Sequence, residues 1–264
     1  MKRLILIALS LIFAISLCSC TRIEFEYDID LTEEKNLYDV LADYISHPEK
    51  CKDKNAKIRA ECTVVYNFSE NKIARHSIIV RDNDSDMRAL YEIRAKDGKY
   101  PKTGTVALLG GKFTDGYIEI REFIKADFSK SSFDIDALSM SASELKDFLG
   151  EFNEKCNESE NFGKSIKIYG NINIFDKKYA YLNGFDENGS RTWTVELTPK
   201  DASVKLPTSN TKQLNAYEII GTLEMYMEDH IAYPCIKVSE IKAIEGVLKV
   251  EETQIGQPVI NPMQ

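Results

Sequence analysis

Residues 165–175, SIKIYGNINIF, are rich in the β-branched and aromatic side chains that favour strands. The rest of the second half of the chain contains further runs of the same strand-like composition. Four more strand-like runs follow it: YAYLNGF (179–185), TWTVELT (192–198), AYEIIGTLEM (216–225) and AYPCIKVSEI (232–241). The pattern therefore predicts a unit of five short strands in this half.

A short helix is predicted before these strands. Ser141 and Glu144 have the spacing of a capping box, in which the two residues satisfy the first backbone N–H groups of a helix. An apolar stripe at helical spacing follows, formed by Leu145, Phe148, Leu149 and Phe152. The second unit is thus one helix followed by five strands.

The first half of the chain repeats this order. One apolar helix face, which ends before Pro48, is formed by Leu37, Val40, Leu41, Tyr44 and Ile45. Five strand-like runs follow: AKIRAECTVVY (56–66), ARHSIIVR (74–81), ALYEIR (89–94), TVALLGGKF (105–113) and GYIEIREFI (116–124). We therefore predict tandem domains at 36–126 and 141–245, a Ser- and Asp-rich linker at 127–140, and a C-terminal tail at 246–264.

The predicted fold class is mainly β with short helices. Five antiparallel strands of this length usually close into a small barrel, although a two-sheet sandwich would also fit. The run GKSIKIYG (163–170), with Gly221 in a later strand, resembles the OB-fold-like domains of bacterial lipoproteins, where glycines let a strongly coiled strand bend. The first half offers Ala60 or Glu61 in place of Gly170. The resemblance implies two tandem five-stranded OB-like β-barrel domains, each preceded by a helix.

The N-terminal residues have the pattern of an export signal. Lys2 and Arg3 precede an apolar run from Leu4 to Leu17, which predicts a signal peptide over 1–19. The run is too short to span a bilayer, which needs about 20 residues. The tetrapeptide Leu17-Cys18-Ser19-Cys20 resembles the lipobox of bacterial lipoproteins. The resemblance implies that Cys20 carries lipid and begins the mature chain, with residues 20–35 as a tether.

The charge balance narrows the classes of partner. The chain has 34 basic and 42 acidic residues, and removal of Lys2 and Arg3 with the signal peptide lowers its net charge from −8 to −10. Nucleic acid phosphates would repel such a chain, and the charge balance also argues against a broad basic face that lies on anionic lipid. We therefore expect no nucleic-acid partner and a membrane contact made through the N-terminal lipid.

Two surfaces are candidate ligand sites. In the first domain, Arg75 and Arg81 project opposite to Ile78 and Val80, and Arg94 ends the adjacent strand, so their guanidinium groups could bind carboxylate or phosphate. The alternative is a charged face paired to Glu92 and neighbouring aspartates.

The second candidate surface lies on neighbouring strands of the second domain. Tyr179, Tyr181 and Asn183 share one phase, and Thr194 and Glu196 are their counterparts on the next strand. OB-like barrels often bind ligands on this strand pair, and exposed tyrosines suit sugar or peptide contacts. The alternative is ordinary cross-strand aromatic packing.

The remaining cysteines, Cys51, Cys62, Cys156 and Cys235, permit two interpretations. An exported protein could close one disulfide in each domain, Cys51–Cys62 and Cys156–Cys235. Alternatively, the four cysteines are free thiols that pack as small hydrophobic residues.

The sequence contains no common catalytic or metal-binding motif, so we predict no catalytic residues, metal or cofactor. The leading hypothesis is a lipid-anchored, extracytoplasmic, non-enzymatic binding or scaffolding protein of the bacterial cell envelope, with a protein, peptide or glycan partner. The alternative is an envelope enzyme or substrate-delivery protein with an unrecognised site.

Overall fold

The computed structural model describes residues 26–85, 87–127, 133–175, 179–208, 215–248 and 259–261. The predicted signal peptide, Cys20 and the first part of the tether lie outside these residues. The described part of the chain is mainly β, with 53% strand against 16% helix, which confirms the predicted class. In the described part of the chain, no helix has the length and apolar character needed to cross a membrane.

The regular structure of the described residues consists of thirteen strands, two α-helices and three short 3₁₀ helices. The α-helices are α1 (Leu37–Ser46) and α2 (Ala142–Lys155), and the 3₁₀ helices are Pro48–Lys50, Ala137–Ser139 and Cys156–Glu158. The strands are β1 (Ile29–Leu31), β2 (Asn55–Asn67), β3 (Lys72–Arg81), β4 (Arg88–Ala95), β5 (Thr105–Phe113), β6 (Tyr117–Lys125), β7 (Ile135–Asp136), β8 (Ser165–Phe175), β9 (Tyr179–Phe185), β10 (Arg191–Pro199), β11 (Ala216–Glu228), β12 (Ile231–Val247) and β13 (Val259–Asn261).

The first half forms a closed ring of five strands, called ring 1 below. Strand β2 pairs with β3, β3 with β4, β4 with β6, β6 with β5, and β5 again with β2. Only the β4–β6 pairing is parallel among these five. The core of ring 1 includes Ile58, Ile78, Leu109 and Ile118, and α1 packs against it through Leu41.

The second half forms a ring with the same connectivity, called ring 2. Strand β8 pairs with β9, β9 with β10, β10 with β12, β12 with β11, and β11 with β8. The parallel pairing is again between the third and fifth strands, β10 and β12. Helix α2, whose start is fixed by the Ser141–Glu144 capping box, closes this core with Leu145, Leu149 and Phe152.

The two rings are joined into one hydrogen-bonded sheet. Strand β12 continues beyond ring 2, and Glu245, Gly246 and Val247 pair in parallel with Val65, Tyr66 and Asn67 of β2. The tandem-domain prediction did not include this joint, because the second domain was expected to end at residue 245. The segment expected as a tether also contains β1, which pairs with β2, and the expected tail contains β13, which pairs with β4.

A third apolar cluster fills the space between the rings. Tyr66 of ring 1 stacks on Tyr169 of ring 2, with ring centroids 5.4 Å apart. The other buried members of the cluster are Val64, Phe68, Ala216 and Ile244. The buried side chain of Asn71 also crosses the joint. It accepts the Tyr66 hydroxyl at 2.5 Å and donates to the main-chain oxygens of Ala137 and Met140 at 2.8 and 2.9 Å.

The four described cysteines are free thiols, so the structure contains neither of the two disulfides considered above. Cys51 and Cys62 belong to the core of ring 1. Cys235 is buried with its sulfur 3.4 Å from the Thr198 hydroxyl, and Cys156 lies at the end of α2 with a φ of 49°. Burial raises the pKa of the Cys62 thiol to about 12, which keeps this thiol protonated and unreactive.

Candidate functional site

The outer face of ring 2 places the predicted tyrosine surface on neighbouring strands. On β9 and β10, Tyr181 lies opposite Glu196, and Asn183 lies opposite Thr194. Strand β8 extends the surface, because Asn173 pairs with Tyr181 and Phe175 pairs with Tyr179. Residues that are directly opposite share one side of a sheet. The five predicted residues are therefore close together.

Two of the five predicted residues are more buried than a ligand contact requires. Asn183 is completely buried and donates its amide hydrogens to the main-chain oxygens of Tyr181 and Asn171. Glu196 is 8% exposed. The alternation of residues along β9 identifies the face of Asn183, but it does not reveal how deeply that end of the strand is covered.

Two tyrosines that the sequence analysis did not select complete this surface. Tyr226 of β11 lies opposite Tyr233 of β12, and their rings are stacked with centroids 5.3 Å apart. The hydroxyl groups of Tyr181 and Tyr226 both form hydrogen bonds with Glu196. Tyr179 donates to Glu228 at 3.1 Å, which ties the tip of the β11–β12 hairpin to β9.

A tight turn explains why Tyr226 and Tyr233 meet. Asp229 and His230 both have positive φ, 48° and 67°, which is the geometry of a two-residue hairpin turn. Asn-Gly or Asp-Gly is the usual sequence signal for this turn, and Asp-His is not. The sequence therefore predicts strands only at 216–225 and 232–241, whereas β11 extends to Glu228 and β12 begins at Ile231.

Burial and the Glu196 carboxylate together set the protonation of this surface. Desolvation raises the pKa of Tyr181 and of Tyr226, and the neighbouring charge of Glu196 raises both further. Both phenols therefore remain hydrogen-bond donors to Glu196 at neutral pH. Because their hydroxyls are fixed, the two aromatic rings are held in place and lose little freedom when a ligand packs on them.

An open groove of about 520 Å³ lies beside Tyr181. Its lining residues are Asn173, Ile174, Phe175, Tyr181, Arg191 and Thr194. Phe175 is 62% exposed, and Met227 and Ile231 at the hairpin tip are 59% and 55% exposed. The groove thus combines aromatic faces with amide, hydroxyl and guanidinium groups. We call the groove together with Tyr179, Tyr226, Tyr233 and Glu196 the tyrosine face.

The predicted arginine surface of ring 1 differs from the tyrosine face because its charged groups contact carboxylates and an aromatic ring of the chain itself. Ile78 and Val80 belong to the core, and Arg75 and Arg81 lie on the opposite side of β3. Arg94 donates its Nε to Glu92 at 2.6 Å and lies 4.0 Å above the ring of Tyr117. Arg81 is exposed, with its Nη2 4.0 Å from Glu61.

Arg75 takes part in an ionic contact between the halves. Burial lowers the pKa of Arg75, while the charges of Glu92 and Glu245 oppose that shift. Glu245 of β12 also forms an ion pair with Arg88. All three predicted arginines thus have a carboxylate of the chain itself nearby, and Arg81, with the longest contact, is more exposed than Arg94.

No constellation of metal ligands accompanies either surface. Among the described residues, no group of three or more His, Cys, Asp or Glu side chains is arranged to hold a metal ion. Comparison with known proteins adds no family: no family model and no curated protein matches the chain. A solved chain described as "Molecular basis for abrogation of activation of pro-inflammatory cytokines" is 11% identical and covers 70% of this chain and 95% of its own length. Its TM-score of 0.18 is too low to carry any argument about fold or function.

Proposed function

We propose that the protein is a lipid-anchored, extracytoplasmic binding or scaffolding protein of the bacterial cell envelope, without enzymatic activity. In this proposal the two rings are tandem OB-like domains. The support is their shared strand order, in which the first strand pairs with the second and fourth, and the third pairs in parallel with the fifth. This is the order expected of a small five-stranded barrel of the OB type.

The two rings use the same face in different ways. OB-folds bind ligands on the face of their second and third strands, which are β3 and β4 in ring 1 and β9 and β10 in ring 2. In ring 1, Val247 of β12 packs against Val65, Ile79 and Leu90 on this face. In ring 2 the corresponding face carries the open groove. We therefore assign ligand binding to the tyrosine face.

The observation that carries this proposal is the pair Tyr181 and Tyr226, whose hydroxyls share Glu196 and of which Tyr181 lines the groove. Tyrosine offers an apolar ring with a polar tip, which suits sugar rings and extended peptides. Asn173 and Thr194 add hydrogen-bonding groups within the same groove. The proposed partner is accordingly an envelope glycan or a peptide segment of an envelope protein.

Binding can be tested by screening the mature protein on glycan and peptide arrays and measuring the strongest hit by calorimetry. Tyr181→Ala is expected to weaken that affinity by roughly 30-fold, because a central aromatic contact contributes about 2 kcal/mol. Phe162→Ala is the matched control, since Phe162 is 38% exposed and lies outside the tyrosine face. Absence of any hit, or equal affinity of the Tyr181→Ala variant, would contradict the proposal.

The anchor is tested separately. Cells grown with a clickable fatty acid are expected to label the wild-type protein and the Cys18→Ala variant, because Cys20 is the proposed lipid acceptor. The Cys20→Ala variant is expected to carry no label, as judged by in-gel fluorescence at equal protein load. Retained label on the Cys20→Ala variant would show that the lipid is attached elsewhere.

A further inference from the structure

Ring 1 carries a groove of about 400 Å³ on a surface remote in sequence from the tyrosine face. Its lining consists of Thr32, Glu33, Lys57, Arg59, Val106, Ala107, Leu108 and Lys125. We call it the basic groove, because Lys57, Arg59 and Lys125 supply three positive charges and Glu33 a single negative one. This concentration of cations is notable in a chain whose net charge is −8.

The three cations have no close carboxylate partner among the described residues. Other lysines of ring 1 do have one, such as Lys50 with Asp43 at 2.6 Å, Lys52 with Asp115 at 2.8 Å and Lys112 with Asp53 at 2.6 Å. Hydrogen bonds from Thr32, and to a smaller extent the charge of Lys57, hold the pKa of Asp30 below its usual value. Asp30 lies opposite Lys57 on the neighbouring strand β1, but its carboxylate accepts hydrogen bonds from Thr32 and forms no ion pair with Lys57, so the ammonium can still contact an external anion.

Apolar side chains lie between these cations. Leu108 of β5 is opposite Arg59 of β2 on one side and Lys125 of β6 on the other. The neighbouring Val106 is 59% exposed. Apolar side chains flanked by lysine and arginine are typical of surfaces that rest at the boundary between lipid headgroups and acyl chains.

The basic groove also lies close in sequence to the proposed anchor. Strand β1 begins at Ile29 and pairs with Ala56 of β2, and Thr32 and Glu33 of the groove follow directly. The nine residue-to-residue steps from Cys20 to Ile29 can span at most about 30 Å. A lipid on Cys20 therefore keeps this groove near the headgroups of the membrane that holds it.

We propose that the basic groove is a second membrane contact, in which Lys57, Arg59 and Lys125 bind the phosphate groups of anionic phospholipids. Val106 and Leu108 then rest at the edge of the acyl region. An anionic membrane repels the acidic remainder of the protein, so this contact orients the anchored molecule. The net charge argues against a broad basic face, and this groove is a local exception to it. The inference rests on the proposed lipid on Cys20 only for the proximity of the membrane.

The test uses the mature polypeptide without its lipid, residues 21–264, so that failure of the anchor and failure of the groove are distinguishable. Co-sedimentation with vesicles of phosphatidylcholine mixed with phosphatidylglycerol measures binding, and pure phosphatidylcholine vesicles provide the neutral reference. Each of the substitutions Lys57→Gln, Arg59→Gln and Lys125→Gln is expected to lower partition onto the anionic vesicles about fivefold. Raising the salt concentration should weaken wild-type binding in the same way.

The matched control is the triple variant Lys146→Gln, Lys200→Gln, Lys205→Gln, which makes the same change in net charge at exposed positions of the second half. This control is expected to bind like the wild type, whereas the triple variant of the groove is not. Should the triple groove variant fail to fold, the three single variants give the same information. Equal losses in both triple variants, equal binding to neutral vesicles, or binding of soluble glycerol 3-phosphate without binding to vesicles would overturn the proposal.

Discussion

Replacement of Glu218 by alanine is expected to lower the free energy of unfolding by about 3–5 kcal/mol, the usual cost of breaking a buried ion pair. Glu218 is 1% exposed and accepts the Tyr169 hydroxyl at 2.5 Å. Its carboxylate also lies 3.3 Å from the Nζ of Lys167. Removal of the carboxylate leaves a buried hydroxyl and a partly buried ammonium without their partner. Urea unfolding followed by circular dichroism measures the loss.

Two further variants separate the charge from the packing. Glu218→Gln retains an oxygen that can accept from Tyr169, so it is expected to cost less than Glu218→Ala. Glu224→Ala on the same strand removes a more exposed partner of Lys237 and is expected to change stability by about 1 kcal/mol or less. If Glu218→Ala and Glu224→Ala cost the same, the buried contact does not contribute as described.

The second large effect concerns acid stability and His76. His76 stacks on Tyr100 with the ring centroids 3.6 Å apart and the planes within 4°. Burial, assisted by the positive charge of Lys167, lowers the pKa of His76 to about 4. The unfolded chain, with a histidine pKa near 6.5, then binds one more proton than the native protein between about pH 6.5 and pH 4.

The sign of the effect follows from that extra proton. Stability from the neutral His76 is fully present above pH 6.5 and is lost as the pH falls to about 4, for a total of about 3 kcal/mol. The His76→Phe variant keeps an aromatic ring against Tyr100 and removes the titrating group. Its stability should therefore fall less than that of the wild type between pH 7 and pH 4, as measured by urea unfolding at each pH. His230→Phe, at an exposed turn position, is the control, and the account is wrong if His76→Phe and wild type lose stability in parallel.

The fold class could be predicted because local patterns are strong in both rings. The apolar phase of Ile78 and Val80, the capping box at Ser141 and Glu144, and the helical stripe of α2 all act within a few residues of one another. The joint between the rings could not be predicted in this way. It depends on the pairing of Glu245 with Val65 and on the stacking of Tyr66 and Tyr169, which are remote in sequence and have no local signal.

The candidate site, too, was predictable from local patterns only in part. The common phase of Tyr179, Tyr181 and Glu196 follows from the two-residue period of a strand. Tyr226 and Tyr233 join them only because the turn at Asp229 and His230 extends the hairpin, and this turn lacks the usual Asn-Gly signal. The ionic partners of Arg75 likewise come from another part of the chain, since Glu245 lies at the far end of β12.

The late position of β12 in the chain has a consequence for the order of folding. A chain that emerges from its N-terminus can close ring 1 from its own residues long before Val247 is available. Until then Val65, Ile79 and Leu90 lack the partner that packs on them in the finished protein. Nascent ring 1 therefore exposes an apolar surface for some time during synthesis. Partly folded chains with such exposed apolar surfaces are prone to aggregate and are bound by chaperones. This period of exposure ends only when Val247 at the end of β12 has been made and has packed on ring 1.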